Sequence, residues 1–213
     1  KYVGLEYAVA IARVAAGMAS VPVAIHLDHG HSFAQAMQCI RAGFSSVMVD
    51  GSKYPLAENI ALTKKVVEAG HAVGVSVEGE LGKITGTEDN VFVSDREALF
   101  TDSIAVAIGS AHGHYKLEPK LDFDRLAEIR RRVKIPIVLH GGSGIPDDSV
   151  RRAIGLGVRK VNINTDNMQA FTDKMREILA GDAKVLDPRK ILGPAKEAMK
   201  AVVREKIRVF GCN

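Results

Sequence analysis

"VPVAIHLDHG", residues 21–30, sets an apolar, β-branched run directly against two histidines and an aspartate. The run VPVAIHL (21–27) reads as a buried strand, and a strand core has no use for ionisable groups unless they emerge at a site. Five further runs follow the same plan: SSVMVD (45–50), AVGVSVEGE (72–80), SIAVAIG (103–109), IPIVLH (135–140) and VRKVNIN (158–164). Amphipathic helical patterns separate most of them. Phe33, Ala36, Met37 and Ile40 fall on one helical face, and so do Leu126, Ile129 and Val133. Alternating strands and helices predict an α/β protein with a parallel sheet, either an open doubly wound sheet or a (β/α)8 barrel.

Two features favour the barrel. The chain opens in a helical pattern (Leu5, Val9, Ala12) with no strand before it. Between the third and fourth runs, a short helical stretch (94–100) passes straight into a strand at Asp102–Ser103, with no room for a full crossover helix. The expectation is one (β/α)8 domain over residues 1–213, with its first two strands and part of one crossover absent from this chain.

Bulk composition narrows the function. A hydrophobic content of 46% beside 25% charge is that of a globular chain rather than a disordered one. The net charge of +4 suits an anionic small molecule. Arg130–Arg132 falls on a helical pattern and reads as a solvated face, so no nucleic-acid arm is expected. No apolar run reaches membrane-spanning length, so no membrane segment is expected. Cys39 reads as a buried helix residue and Cys212 as a tail thiol, which predicts a reducing, cytoplasmic setting.

The strand ends carry the chemistry. The first run ends in Asp28-His29, the second in Asp50, and the third in Glu78-Gly79-Glu80. His112 follows the fourth, His140 closes the fifth, and NINTDN follows the sixth. Packing has no reason to select one end of every strand, whereas barrel enzymes build their sites there. His29, His112 and His140 come from three strand ends and can converge on one metal, three imidazoles with an open position being the form of a catalytic zinc site. Strand alternation would put His29 on the face opposite His26 and Asp28, unless the strand finishes near 28–29, as expected here. His31, His71 and His114 read as surface or supporting groups, and His26 as a core or supporting one. HGGSG after the fifth run, followed by a helix, is a loop able to close backbone N–H groups on an anion, and NINTD lies beside it. Lys116 reads either as a phosphate contact or as a solvated loop lysine.

The ordered set HLDHG, GFSSVMVDGS, VSVEGELGKITGTEDN, AVAIGSAHGHYK, PIVLHGGSGIP, KVNINTD and DPRKILGPAKEAM spans essentially the whole chain. It resembles the class II, metal-dependent ketose-bisphosphate aldolases, which include the fructose- and tagatose-bisphosphate enzymes. The resemblance implies a (β/α)8 barrel, a homodimer or homotetramer, and a lyase of glycolysis and gluconeogenesis that cleaves a sugar bisphosphate. It assigns Zn2+ to His29, His112 and His140, with Glu80 near the metal and ligating in some states. It makes Asp28 the acid/base for the substrate hydroxyl and Glu88 the proton shuttle at the neighbouring carbon. Gly113, Gly141, Ser143, Asn162, Asn164 and Thr165 match the segments around one phosphate, and Arg189 matches an arginine that reaches the second from a neighbouring subunit. A monovalent cation, Na+ or K+, accompanies the phosphate in some members. Thr85 stands where the family usually has glycine.

The Schiff-base alternative needs a lysine deep in the barrel, and the only lysine in a strand run, Lys160, lies toward the other end. A metal-dependent hydrolase barrel would usually carry a His-x-His pair on its first strand and no late phosphate loop. A non-catalytic sugar-phosphate-binding barrel would have no need of Asp28. Fructose 1,6-bisphosphate is the leading substrate, with tagatose 1,6-bisphosphate as the alternative.

Overall fold

The computed structural model describes residues 3–81, 101–110, 113 and 119–212. Glu88, His112, His114 and Lys116, and the Thr85 substitution, lie outside the described residues. Contacts gather the chain into two compact units. One takes in the described residues up to 81 with 101–107 and 128–137; the other takes in those of 108–127 with 138–212.

The first unit starts with α1 (Leu5–Met18), followed by β1 (His26–Gly30), α2 (Phe33–Ala42) and β2 (Ser46–Val49). Next come α3 (Leu56–His71), β3 (Ser76–Leu81) and β4 (Ser103–Val106). All neighbouring strands pair parallel and in chain order. Along β2 and along the chain into β3, odd-numbered residues face the helices: Val47, Val49, Val75 and Val77 form a buried core with Ala36, Cys39 and Val66, and Leu27 packs against it. Alternation then turns the even-numbered residues, Ser46, Met48, Glu78 and Glu80, to the other face. Helix α2 is well punctuated. The Ser32 side chain accepts the Gln35 N–H at its start, and Gly43 closes it at φ 102°.

The sequence misplaces the first strand. Val21–Ala24 lie outside β1 and are exposed, Val21 at 64%. Pro22 has no N–H for a ladder, and pairing with β2 begins only where Ile25 accepts the Ser45 and Ser46 N–H groups. Nor does β1 stop at 28–29. Leu27 pairs with Val47 and Gly30 with Val49, so residues 27–30 span what 47–49 span, which is a bulge. His29, at φ 50°, absorbs the extra residue. The bulge resets alternation, and His29 joins the even-numbered residues of β2 and β3 on their face.

Asp102 leads directly into β4. Its N–H donates to Val77 O at 2.8 Å and its carboxylate accepts the Val77 N–H at 2.7 Å, with His71 Nε2 2.9 Å away. Past β4, the Ile104 N–H donates to Pro136 O, immediately before β5 (Ile137–Leu139).

The second unit holds the end of β5, α5 (Asp147–Gly155), β6 (Val158–Val161), α6 (Thr165–Gly181) and α7 (Pro188–Phe210). Helix α4 (Phe123–Arg132) begins in this unit and ends in the first, with Leu126 fully buried. The Asn162 N–H donates to Leu139 O at 3.0 Å, joining the ends of β5 and β6. No helix among the described residues is long and apolar enough to cross a membrane.

Gly30 is required by close approach. A Cβ there would run into the Met48 carbonyl oxygen and lie 2.8 Å from Leu27 Cδ2. Gly30→Ala is therefore expected to lower stability by about 1–3 kcal/mol, read as a shift of the urea midpoint at unchanged slope.

Candidate active site

The inner face of the first unit's sheet carries two layers of polar side chains. In the lower layer, His26 Nδ1 lies 2.8 Å from Ser46 Oγ and its Nε2 3.8 Å from Glu78 Oε2. Ser103 Oγ donates to the same Glu78 oxygen at 3.3 Å. Glu78 is 1% exposed, so these contacts, rather than water, stabilise its carboxylate. His26 is thus half-buried against Ser46 and Glu78.

The upper layer is built around His29. Its Nδ1 lies 2.9 Å from Asp50 Oδ2 and 3.3 Å from Glu80 Oε2. Glu80 is buried, and its carbonyl oxygen accepts the Asn59 Nδ2–H at 2.8 Å, which fixes this point of β3 to α3. Asp50 is aimed from its other oxygen, which accepts both the Ser52 N–H (3.1 Å) and the Ser52 hydroxyl (2.6 Å). The bulge is what brings the imidazole here, and the Met48 sulfur accepts the His29 N–H at 3.4 Å. Asp28, one residue earlier, is exposed.

Electrostatics follow the geometry. The bond that Asp50 accepts from the ring, and then the Glu80 carboxylate beside it, raise the His29 imidazole from 6.5 to about 10, against the opposing effect of burial. The bond to His29 holds Asp50 well below the usual carboxylate range, assisted by Ser52. Two carboxylates against one ring nitrogen favour positive charge at this place. His29, Asp50 and Glu80 each offer one ligand atom, and these atoms all lie within 4.8 Å of one another. The imidazole nitrogen and two carboxylate oxygens fit a divalent transition metal such as zinc. Asp50, which the sequence places at a strand end with no assigned role, joins this group, and DGS is its signal, an aspartate followed at two residues by a serine able to orient it.

In the second unit, His140 is fully buried at the end of β5. Gly141 follows at φ 65°, a conformation that favours glycine. The Gly142 N–H donates to Asn162 O at 3.0 Å, and a Cβ on Gly142 would meet Val161 Cγ1 at 2.6 Å. The 141–145 loop therefore lies directly against residues 161–163. Ser143 is buried, and its Oγ accepts the Asp166 N–H at 3.2 Å, while the Gly144 N–H donates to Asp166 Oδ2 at 3.4 Å. Asn164 caps α6 without a side-chain bond to it, and Thr165 opens the helix. Gly141, Ser143, Asn162, Asn164 and Thr165 are thus brought together, at a helix N-terminus suited to an anion.

The remaining assignments stand apart. Gly113 is described alone, at φ 91°. Arg189 is 91% exposed and forms a two-pronged pair with Asp187, the N-cap of α7. His31 is exposed and His71 pairs with Asp102, away from the His29 group.

The family described as "Fructose-bisphosphate aldolase class-II" matches this chain over residues 1–213. A fructose-bisphosphate aldolase of Geobacillus stearothermophilus is 50% identical over 204 residues, covering 90% of this chain and 71% of that protein. Among solved structures, the YdjI aldolase of Escherichia coli K12 superposes with a TM-score of 0.81 at 33% identity, over 98% of this chain and 76% of that one. The fructose-bisphosphate aldolase of Campylobacter jejuni gives 0.78 at 26% identity, over 98% and 77%. The fold is the α/β class expected from the sequence, that of the (β/α)8-barrel aldolases, with six of the strands among the described residues.

The His29–Asp50 pair makes the metal-free protein pH-dependent in a defined sense. The raised His29 adds stability that is complete below pH 6.5 and fades as pH climbs toward about 10. The lowered Asp50 adds stability that is complete above its ordinary value of 3.8 and fades in stronger acid. Both describe one bond, so Asp50→Asn should remove one contribution, largest between those limits. In the same variant the His29 ring should titrate closer to 6.5, as read by NMR of the metal-free protein. An unmoved ring pKa would refute the assigned cause.

Proposed function

This chain belongs to the class-II fructose-bisphosphate aldolase family, a family of carbon–carbon lyases. On that premise we propose that it catalyses the zinc-dependent, reversible cleavage of fructose 1,6-bisphosphate to dihydroxyacetone phosphate and glyceraldehyde 3-phosphate. The observation that carries this reading is the His29–Asp50–Glu80 group, next in sequence to Asp28, in a chain matched to the family along its whole length.

By the family resemblance, His29, His112 and His140 would hold zinc, with Glu80 ligating in some states. A bound zinc ion supplies a Lewis acid that polarises the ketone carbonyl and offsets the negative charge developing as the carbon–carbon bond breaks. Asp28 accepts the proton of the C4 hydroxyl, and the electrons of the C3–C4 bond move toward the carbonyl. An exposed carboxylate one residue from a ligand is suited to that transfer, since it needs no desolvation before it acts as base. Glu88 is assigned the proton returned to C3. Glu80 and Asp50 orient His29, and Ser52 in turn orients Asp50.

The loop Gly141–Ile145 and residues Asn162–Thr165, joined by Gly113 and Lys116, would bind one phosphate through backbone N–H groups, hydroxyls and the α6 terminus. Asn162 would also contact the ketose, and Arg189 of a neighbouring subunit would reach the second phosphate. On this reading residues 1–213 form one aldolase domain of a cytoplasmic homodimer or homotetramer, with Na+ or K+ near the phosphate.

The intact protein should release triose phosphate from fructose 1,6-bisphosphate, lose that activity to a chelator and regain it with zinc. Tagatose 1,6-bisphosphate assayed in parallel decides the sugar; release from neither, with zinc bound, would sink the proposal. Asp28→Asn should lower kcat by about 100-fold or more while zinc content stays at the wild-type level. Zinc must also displace the proton of His29. Near neutral pH its binding should therefore release a proton, seen as calorimetric heats that depend on the buffer's ionisation enthalpy, and affinity should rise about tenfold per pH unit from this group.

A further inference from the structure

The buried and half-buried positions of α7 are apolar at Ala195, Met199, Val202 and Val209, and Lys206 is the one charged residue among them. Its side chain is 16% exposed, so an ammonium there needs a counter-ion close by. It has two. Nζ lies 3.5 Å from Asp147 Oδ1 and 3.5 Å from Asp166 Oδ2. Asp147 is the first residue of α5 and Asp166 the second of α6.

Asp166 links this lysine to the 141–145 loop. It accepts the Gly144 N–H through the same Oδ2, and its own N–H is held by Ser143 Oγ. The chain of contacts thus runs from α7 through Lys206 and Asp166 into the loop, entirely within the second unit. Two first-turn carboxylates complement their helices but place negative charge beside N–H groups suited to an anion. Left uncompensated, they would repel a phosphate dianion approaching Gly144 and Ser143.

We propose that Lys206 is a positioning residue for phosphate binding. As the shared counter-ion of Asp166 and Asp147, it lowers the negative charge around the loop, so that a dianionic phosphate ester is accepted. This rests on the reading of Gly141–Ile145 and Asn162–Thr165 as the phosphate-binding segments. It adds a determinant of substrate affinity on a helix that contributes no ligand to that phosphate.

The test compares zinc-loaded wild type with K206M, K206R and D166N/K206M, using steady-state cleavage of fructose 1,6-bisphosphate and titration with inorganic phosphate. K206M keeps the apolar stem and loses the charge. Its KM and its Kd for phosphate should rise about tenfold, while kcat stays within about twofold. K206R should restore most of the affinity. In D166N/K206M the uncompensated carboxylate is gone, and the phosphate Kd should return to within about threefold of wild type. A merely structural lysine would give no such recovery. Unchanged phosphate affinity in K206M, or a double variant weaker than K206M, overturns the inference. Should K206M fail to fold, D147N concentrates Lys206 on Asp166 and should tighten phosphate about threefold; no tightening overturns it equally. If wild type itself binds no phosphate, the reading of the loop fails and this inference with it. If wild type binds and K206M binds as well, only the role of Lys206 is lost.

Discussion

Burying a carboxylate inside a sheet is the constraint around which the first unit is arranged. Glu80 is 3% exposed, and its charge must be met by a positive or donating group within a few ångströms. The group is the His29 ring, and a regular strand would carry that ring to the opposite face. The β1 bulge and the φ of 50° at His29 are the local departures that resolve this. A left-handed conformation costs a residue with a Cβ about 1–2 kcal/mol, and it persists here because Asp50, Glu80 and Met48 all hold His29 in it. Gly30 then lets β2 approach closely enough for Asp50 to reach the ring. The same features that make the site costly to fold give it the donor set of a candidate metal centre, an imidazole with two carboxylates close by.

The second unit solves a related problem with backbone. Gly141 and Gly142 bring one loop against the end of β6, and the α6 terminus opens beside it. Donors directed at an anion are useful only if nearby carboxylates do not cancel them, and Asp147 and Asp166 are close. Lys206 answers both, from a helix that begins over forty residues after the loop. By the function proposed above, the first unit carries the proposed base, Asp28, and part of the proposed metal-ligand set, and the second carries His140 together with the groups proposed to hold phosphate.

The sequence by itself determined the alternation of strands and helices, the residues that close each strand, and the family, because these depend on local periodicity and on motifs that survive without coordinates. β2 and α2 fall where the apolar pattern puts them, since Val47, Val49, Ala36 and Cys39 face one core. Only the tertiary structure decided the rest. The run Val21–Ala24 has the composition of a strand but pairs with nothing among the described residues, because a ladder needs a neighbour and Pro22 offers it no donor. Asp50 enters the site because β2 lies between β1 and β3, and neither chain distance nor residue type encodes that adjacency. The face on which His29 appears is set by a one-residue register shift, which changes no letter of the sequence and reverses the direction of a side chain.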